Sequence, residues 1–219
     1  MKKTSSKKKI RTILLTVCIL FLLLIFTFVG RMIFLMTPTK GEAISTYAEP
    51  KSALLVIDVQ NDTLSMPQFK NKDTTIEHLN AAIAQAESQG MEIIYIRQEY
   101  TNPVDFPLSF GMYQKGNKGA EISNDITIAS DVIFPKFRSD AFSNKDFESY
   151  LVEHQIDTLY LTGAESTACV YKTALGGVNR NYRVIALKDS IFCMNEKSFP
   201  KILQQYQKKG IEIQTSLSE

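Results

Sequence analysis

The chain has 219 residues, 44% of them hydrophobic and 22% charged, with 10 Gly, 7 Pro and no Trp. This is a globular composition, and it excludes a collagen, a coiled coil or a mainly disordered chain. Eight of the 25 Lys/Arg and none of the 23 Asp/Glu fall in residues 1–40, so the remaining 179 residues carry 17 basic against 23 acidic groups, net −6. An acidic body lacks the basic footprint of a nucleic-acid binder, and no nucleic-acid partner is expected.

Residues 1–11 form a basic tail. Residues 12–30, TILLTVCILFLLLIFTFVG, contain no charge. At about 1.5 Å per residue they span roughly 28 Å, close to the hydrocarbon thickness of a bilayer. The apolar run resumes after Arg31, which can snorkel to the interface, and ends at Met36. The spacing predicts a transmembrane anchor over 12–36. The basic residues before it place the N-terminus in the cytoplasm and the rest outside the plasma membrane. A cleaved signal peptide would have an apolar core of about 7–15 residues and a small-residue cleavage site; MIFLMTPTKG offers none. A buried soluble helix is excluded because the segment is apolar on every side. Residues 37–50, with Pro38, Gly41 and Pro50, read as a linker, and 51–219 as one domain with a single core. Three cysteines, one of them Cys18 in the leader, make no disulfide framework.

The domain alternates strand and helix. ALLVID at 53–58 is an apolar run ending in an acid. Residues 74–89 have helical spacing through Ile76, Leu79, Ile83 and Ala86, stopped by Gly90. Strands follow at 92–97 (EIIYIR) and 131–134 (DVIF), the latter closed by Pro135. A helix at 144–154 has Ser143 or Asn144 as N-cap candidate. Then come a strand at 158–162, a helix at 167–181, a strand at 183–187, a helix at 196–209 and a short last strand at 211–214. Near-continuous apolar strands separated by helices predict an α/β fold, a mainly parallel sheet covered on both faces.

Ligands of such sheets bind beyond the carboxyl ends of the strands. The residues at those positions are Asp58, Arg97, Lys136, the segment 163–169 with Cys169, and Asp189. Residues 98–130 are long for a connection and carry Phe106, Phe110 and Tyr113. A lid and a solvated insertion are equally compatible with that composition.

Three segments resemble the isochorismatase-like cysteine hydrolases, the family that includes nicotinamidases and carbamoyl-amide hydrolases. They are ALLVIDVQND at 53–62, PKFRSDAF at 135–142 and LTGAESTACVYKTALGGVNRNYRV at 161–184. The resemblance covers about 52–195. It implies a three-layer, doubly wound, six-stranded sheet, a catalytic triad of Asp58, Lys136 and Cys169, a cis peptide at Ala164–Glu165, and frequent homo-oligomers.

The chemistry fits these residue types. A thiolate is the reactive form of cysteine. The helix start at Cys169 and the ammonium of Lys136 would favour it, lowering the thiol pKa. Asp58 would take the thiol proton and return it to a leaving amine. Attack on an amide or carbamoyl carbon would give a covalent acyl-enzyme that water releases. Backbone N–H groups around Ala168 and Cys169, in the turn with Ala164 and Glu165, are oxyanion-hole candidates. Arg97, Asn61, Phe106, Phe110 and Tyr113 are the substrate-binding candidates, and a small molecule is the expected substrate. Each residue also has a purely structural role open to it: Cys169 as packing, Asp58 as a turn cap, Lys136 as a surface lysine, Arg97 as half of an ion pair, and Gln60, Asn61 and Asp62 as turn formers.

The sequence departs from the family in places. The family's nicotinamidases hold a metal through Asp and His after the second strand, whereas this chain has only His78 and His154, in no H-x-H or D-x-H cluster. No metal or other cofactor is expected. The family's vinyl-ether-cleaving isochorismatases lack the cysteine. Thr63 stands where an aromatic residue is common, and Glu165 adds an acid beside the nucleophile turn. These two motivate the competing reading of an inactive binding module. Isochorismatase-type hydrolysis competes as well, and so does thiol redox chemistry through Cys169 and Cys193, although no C-x-x-C is present. Cys193 reads as a small core residue, and an outward-facing domain would allow a Cys169–Cys193 disulfide.

Overall fold

The computed structural model describes residues 3–102, 105 and 109–217. The chain forms two units that meet at Leu35/Met36.

The first is helix α1, Lys3–Met36. Its segment Lys9–Met36 is long and apolar enough to cross a membrane. Apolar side chains lie open on every side, with Leu24 65% and Phe26 77% exposed. So large an unpaired apolar surface is strongly unfavourable in water.

The second unit is a six-stranded sheet, all parallel, in the order β3-β2-β1-β4-β5-β6. The strands are β1 (Lys51–Ile57), β2 (Glu92–Gln98), β3 (Ile133–Lys136), β4 (Ile156–Ala164), β5 (Arg183–Phe192) and β6 (Glu212–Gln214). The helices are α2 (Asn61–Leu64), α3 (Lys72–Ser88), α4 (Lys145–Glu153), α5 (Cys169–Val178) and α6 (Phe199–Lys208). This is the α/β arrangement with a parallel sheet that the strand–helix alternation predicts, with the six strands that the resemblance implies.

Alternate residues of each strand feed opposite faces, as a two-residue period requires. Ala53, Leu55 and Ile57 pack with Phe142, Phe147, Leu151, Val170 and Tyr206. Leu54 and Val56 pack with Leu79, Ile83, Tyr95, Ile185 and Leu187. Helix α3 forms because its Leu79, Ala82, Ile83 and Ala86 make one buried stripe, and Gly90 at φ +66 ends it. At the start of α4, the side chain of Asn144 accepts from the N–H groups of Asp146 and Phe147. Each large apolar side chain buried in these layers contributes about 1.5–3 kcal/mol.

Several bounds differ from those expected from the sequence. Strand β2 runs one residue further, to Gln98, and β5 five further, to Phe192. Pro135 lies inside β3 rather than closing it; β3 is an edge strand, where a missing N–H is tolerated.

Residues 37–50 do not hang as a free linker. Thr39 donates its N–H and hydroxyl to Asp140 Oδ2. The Thr39 carbonyl accepts from Asn179, the Lys40 carbonyl from Arg180, and Ile44 N donates to the Arg180 carbonyl. Arg180, 1% exposed, also pairs with Glu148 and lies 4.5 Å over the Phe142 ring. The Pro/Gly composition signalled irregular backbone, which says nothing about partners elsewhere in the chain.

Candidate active site

The chain order sends β1, β2 and β3 to one side and β4, β5 and β6 to the other, so the topological switch lies between β1 and β4. That crevice is where open α/β sheets bind ligands. Asp58 follows β1, Lys136 ends β3 and Cys169 opens α5 after β4. Asp58 has a left-handed backbone, φ +52. Gly163 sits beside it at φ +99, where a Cβ would stand 2.1 Å from the Ile57 carbonyl oxygen. Only glycine admits that approach of the two strands.

Lys136 Nζ donates to Asp58 Oδ2 at 2.7 Å, to Gln98 Oε1 at 2.6 Å and to Cys169 Sγ at 3.2 Å. These use all three ammonium hydrogens. Lys136 is 2% and Asp58 4% exposed, while Cys169 is half-buried. Gln98 and Lys136 are register partners on β2 and β3. The lysine therefore reaches over the end of β2 to β1 and β4.

The charges determine the resting protonation. Burial opposes the Lys136 ammonium, but Asp58 and Cys169 together hold its pKa above the ordinary value. Burial and the Asp58 carboxylate push the Cys169 thiol up to about 12, against the lowering effect of Lys136. The expectation from the sequence was a depressed thiol pKa. The difference arises because the lysine and the helix start are visible in the sequence, whereas the desolvation and the facing carboxylate are not.

The other expected residues divide. Tyr113 is close enough to Asp58 and Cys169 that both raise its pKa, behind burial as the main cause, and its hydroxyl lies 3.0 Å from that of Thr63. Asn61 Nδ2 donates to the Lys118 carbonyl, and Asp62 Oδ2 accepts from Tyr113 N. Arg97 pairs with Glu99 at 2.9 Å, the structural role open to it from the sequence. Phe110 is 90% exposed. Phe106 lies outside the described residues. Asp189 pairs with Lys188, and both line a separate cavity of about 260 Å³ with Phe69, His78 and Cys193.

The turn between β4 and α5 has the cis peptide at Ala164–Glu165 that the resemblance implies. The Glu165 carboxylate accepts from Ser166 Oγ, Thr167 N and Thr167 Oγ1, so the turn's own donors occupy it. Ala168 N donates to the Glu165 carbonyl at 3.1 Å. Of the two oxyanion-hole candidates, the Ala168 N–H is thus already engaged. Cys169 and Cys193 are both free thiols, and Cys193 donates to the Asn195 carbonyl.

Three residues of the site were not expected from the sequence. Gln98 holds Lys136, and Gln60 holds Gln98 through the Gln98 N–H and carbonyl. Tyr100 lies near Lys136, Cys169 and Asp58, all of which influence its hydroxyl; burial raises its pKa most. The available signal was the end of β2. Placing that end at Arg97 shifts attention by one residue, and one residue in a strand is the opposite face.

Among the described residues, those after β2, where the resemblance places a metal, do not fit one. After β2 come Glu99, paired with Arg97 and Lys115, and then Tyr100. His78 Nδ1 lies 3.3 Å from the Asp189 carbonyl, and His154 stacks on Tyr150. Among the described residues, no three His, Cys, Asp or Glu side chains are grouped to hold a metal ion.

Residues 52–216 match the isochorismatase domain, and the chain belongs to that family. It is 25% identical over 178 residues to the ureidoacrylate amidohydrolase RutB of Cronobacter sakazakii, covering 66% of this chain and 76% of that one. It is 33% identical over 162 residues to the N-carbamoylsarcosine amidase of an Arthrobacter species, covering 64% of this chain and 59% of that protein. Among solved structures, an isochorismatase-like hydrolase from Alkaliphilus metalliredigens superposes with a TM-score of 0.67 at 26% identity, covering 75% of this chain and 95% of that one. The pyrazinamidase of Pyrococcus horikoshii, solved with zinc, superposes with a TM-score of 0.66 at 24% identity, covering 75% and 99%.

Proposed function

We propose that this protein is a cysteine amidohydrolase that cleaves a C–N bond in a small amide or carbamoyl compound. One observation carries the reading: a single buried ammonium is hydrogen-bonded to both the Asp58 carboxylate and the Cys169 sulfur. The amidase relatives give the bond type.

With its pKa at about 12, the resting sulfur is a thiol. Asp58 takes its proton as the sulfur attacks the carbonyl carbon, and the C–S bond forms as the carbonyl π electrons move to oxygen. The oxyanion is held at the start of α5, by the Cys169 N–H. Collapse expels ammonia or an amine, which carries away the proton stored on Asp58. Asp58 then deprotonates a water that attacks the thioester; the C–S bond breaks and the sulfur recovers its proton. Lys136 remains an ammonium throughout. It keeps Asp58 and the sulfur together and offsets the negative charge that passes between them.

No step needs a metal, and the poor fit of the local residues to one supports metal-independent hydrolysis. Helix α1 anchors the enzyme in the plasma membrane as a single span. Its basic tail puts the N-terminus in the cytoplasm and the catalytic domain outside. A homo-oligomer is part of the proposal on family grounds. The intact triad and the self-occupied Glu165 favour turnover over a binding-only module.

The test is ammonia release from a panel of carboxamides, ureides and carbamoyl amino acids, using the full chain in detergent. Wild type is expected to release ammonia from at least one compound class, and Cys169→Ser to abolish it. Equal release by Cys169→Ser would end the proposal. Activity unchanged by chelator dialysis supports metal independence; activity lost and restored by zinc would overturn it.

A further inference from the structure

We propose that Gln98 is a positioning residue of this site, one that aims Lys136 with its carboxamide oxygen and offers its carboxamide N–H to an acceptor on the bound substrate. The inference rests on the hydrolase reading above and goes beyond the triad.

The orientation of the amide is fixed by chemistry. An ammonium has only donors, so the Gln98 atom 2.6 Å from Lys136 Nζ must be the oxygen. The carboxamide nitrogen is then directed away from the ammonium. It is buried and has no hydrogen-bond partner, in a residue only 4% exposed. A buried, unpaired amide donor is costly and rare in a folded protein. Asp58 shows the mirror situation: Oδ2 is bonded to Lys136, while Oδ1 is buried and unpaired. The same ammonium thus joins two groups, and each retains one unused atom, a donor on one and an acceptor on the other.

Gln98 is also held unusually firmly. The side chain of Gln60, 0% exposed, accepts from Gln98 N at 2.7 Å and donates to the Gln98 carbonyl at 2.9 Å. Its Nε2 donates as well to the Ala120 carbonyl, at 2.7 Å. A side chain from the turn between β1 and α2 therefore clamps the backbone at the end of β2. The Gln98 carboxamide next to that clamp fixes the third ammonium bond, and Lys136 is left to point its other two at the base and the nucleophile. Precision of this kind matters, since small misplacements of a catalytic group lower rates by orders of magnitude.

The test compares wild type, Gln98→Met and Gln98→Glu, each as the full chain in detergent. Methionine keeps the volume and removes both functions; glutamate restores an oxygen for Lys136 but has no N–H. The first measurement, Cys169 alkylation by iodoacetamide at fixed mildly alkaline pH, needs no substrate. Gln98→Met is expected to slow it by about threefold or more, because a displaced ammonium no longer lowers the thiol pKa. The second is steady-state kinetics on whichever compound wild type hydrolyses. Gln98→Met is expected to lower kcat by about tenfold to a hundredfold and to raise KM. Gln98→Glu is expected to recover much of kcat while KM stays raised. Wild-type alkylation by a folded Gln98→Met would overturn the positioning role, and a wild-type KM in Gln98→Glu would overturn the donor role. If wild type hydrolyses nothing, the hydrolase reading has failed by itself, and the alkylation comparison still decides whether Gln98 aims Lys136.

Discussion

Thr39 presents its backbone N–H and its hydroxyl to one oxygen of Asp140, each at 2.6 Å. The second Asp140 oxygen accepts from Phe142 N. Asp140 is fully buried, and burial raises its pKa even against these bonds. The segment after the apolar helix therefore supplies two donors to a carboxylate buried in the domain.

A chain begun at Lys51 is accordingly expected to be less stable than one begun at Met36. Thr39→Val, which keeps the N–H and removes the hydroxyl, should lower stability by about 1–3 kcal/mol. Urea titration followed by circular dichroism measures both. Coincident midpoints for the chains begun at Met36 and Lys51 would show that residues 37–50 contribute nothing.

Lys136→Met is expected to destabilise by about 3–5 kcal/mol, because it leaves Asp58 buried without its cation. Adding Asp58→Asn should recover part of that loss without restoring activity, and a double-mutant cycle gives the coupling. The folded pKa of Lys136 is raised. Its contribution is therefore fully present below the ordinary lysine pKa and is lost only as pH rises through the higher folded value. Additive effects of the two substitutions would contradict the coupling.

Because the thiol pKa is pushed up to about 12, alkylation of Cys169 should climb by about tenfold per pH unit between roughly pH 6 and pH 9, with no plateau. Mass spectrometry resolves it from Cys193. A plateau near neutral pH would mean that a stable thiolate–ammonium pair exists before substrate binds.

If α1 spans a bilayer, the protein should stay with membranes through alkaline carbonate washing, and removal of residues 1–35 should release it. External protease on intact cells is expected to reach the domain. Protection of the domain, with cleavage only after lysis, would reverse the orientation.

Much of this was legible in residue order. The continuous apolar strands implied a parallel sheet, because only strands covered on both faces are apolar throughout. Strand ends brought forward Asp58, Arg97, Lys136, Cys169 and Asp189 alike, because that edge is common to every parallel strand, and the resemblance to the family singled out the Asp, Lys and Cys among them. Gln98 stayed hidden for a geometric reason: strand ends are uncertain by a residue, and one residue reverses the face. Thr39 and Asp140 are 101 positions apart, and no local pattern couples positions so distant.

The sequence by itself determined the apolar helix and the strand–helix alternation, since periodicity is a local property, and it placed Asp58, Lys136 and Cys169 among the candidates at one edge of the sheet. Only the tertiary structure decided how those groups are charged and aimed. The thiol pKa depends on desolvation and on a facing carboxylate, the lysine's direction depends on Gln98 across a strand boundary, and the role of residues 37–50 depends on Asp140. Each of these is an interaction between segments that fold together but are not near in sequence.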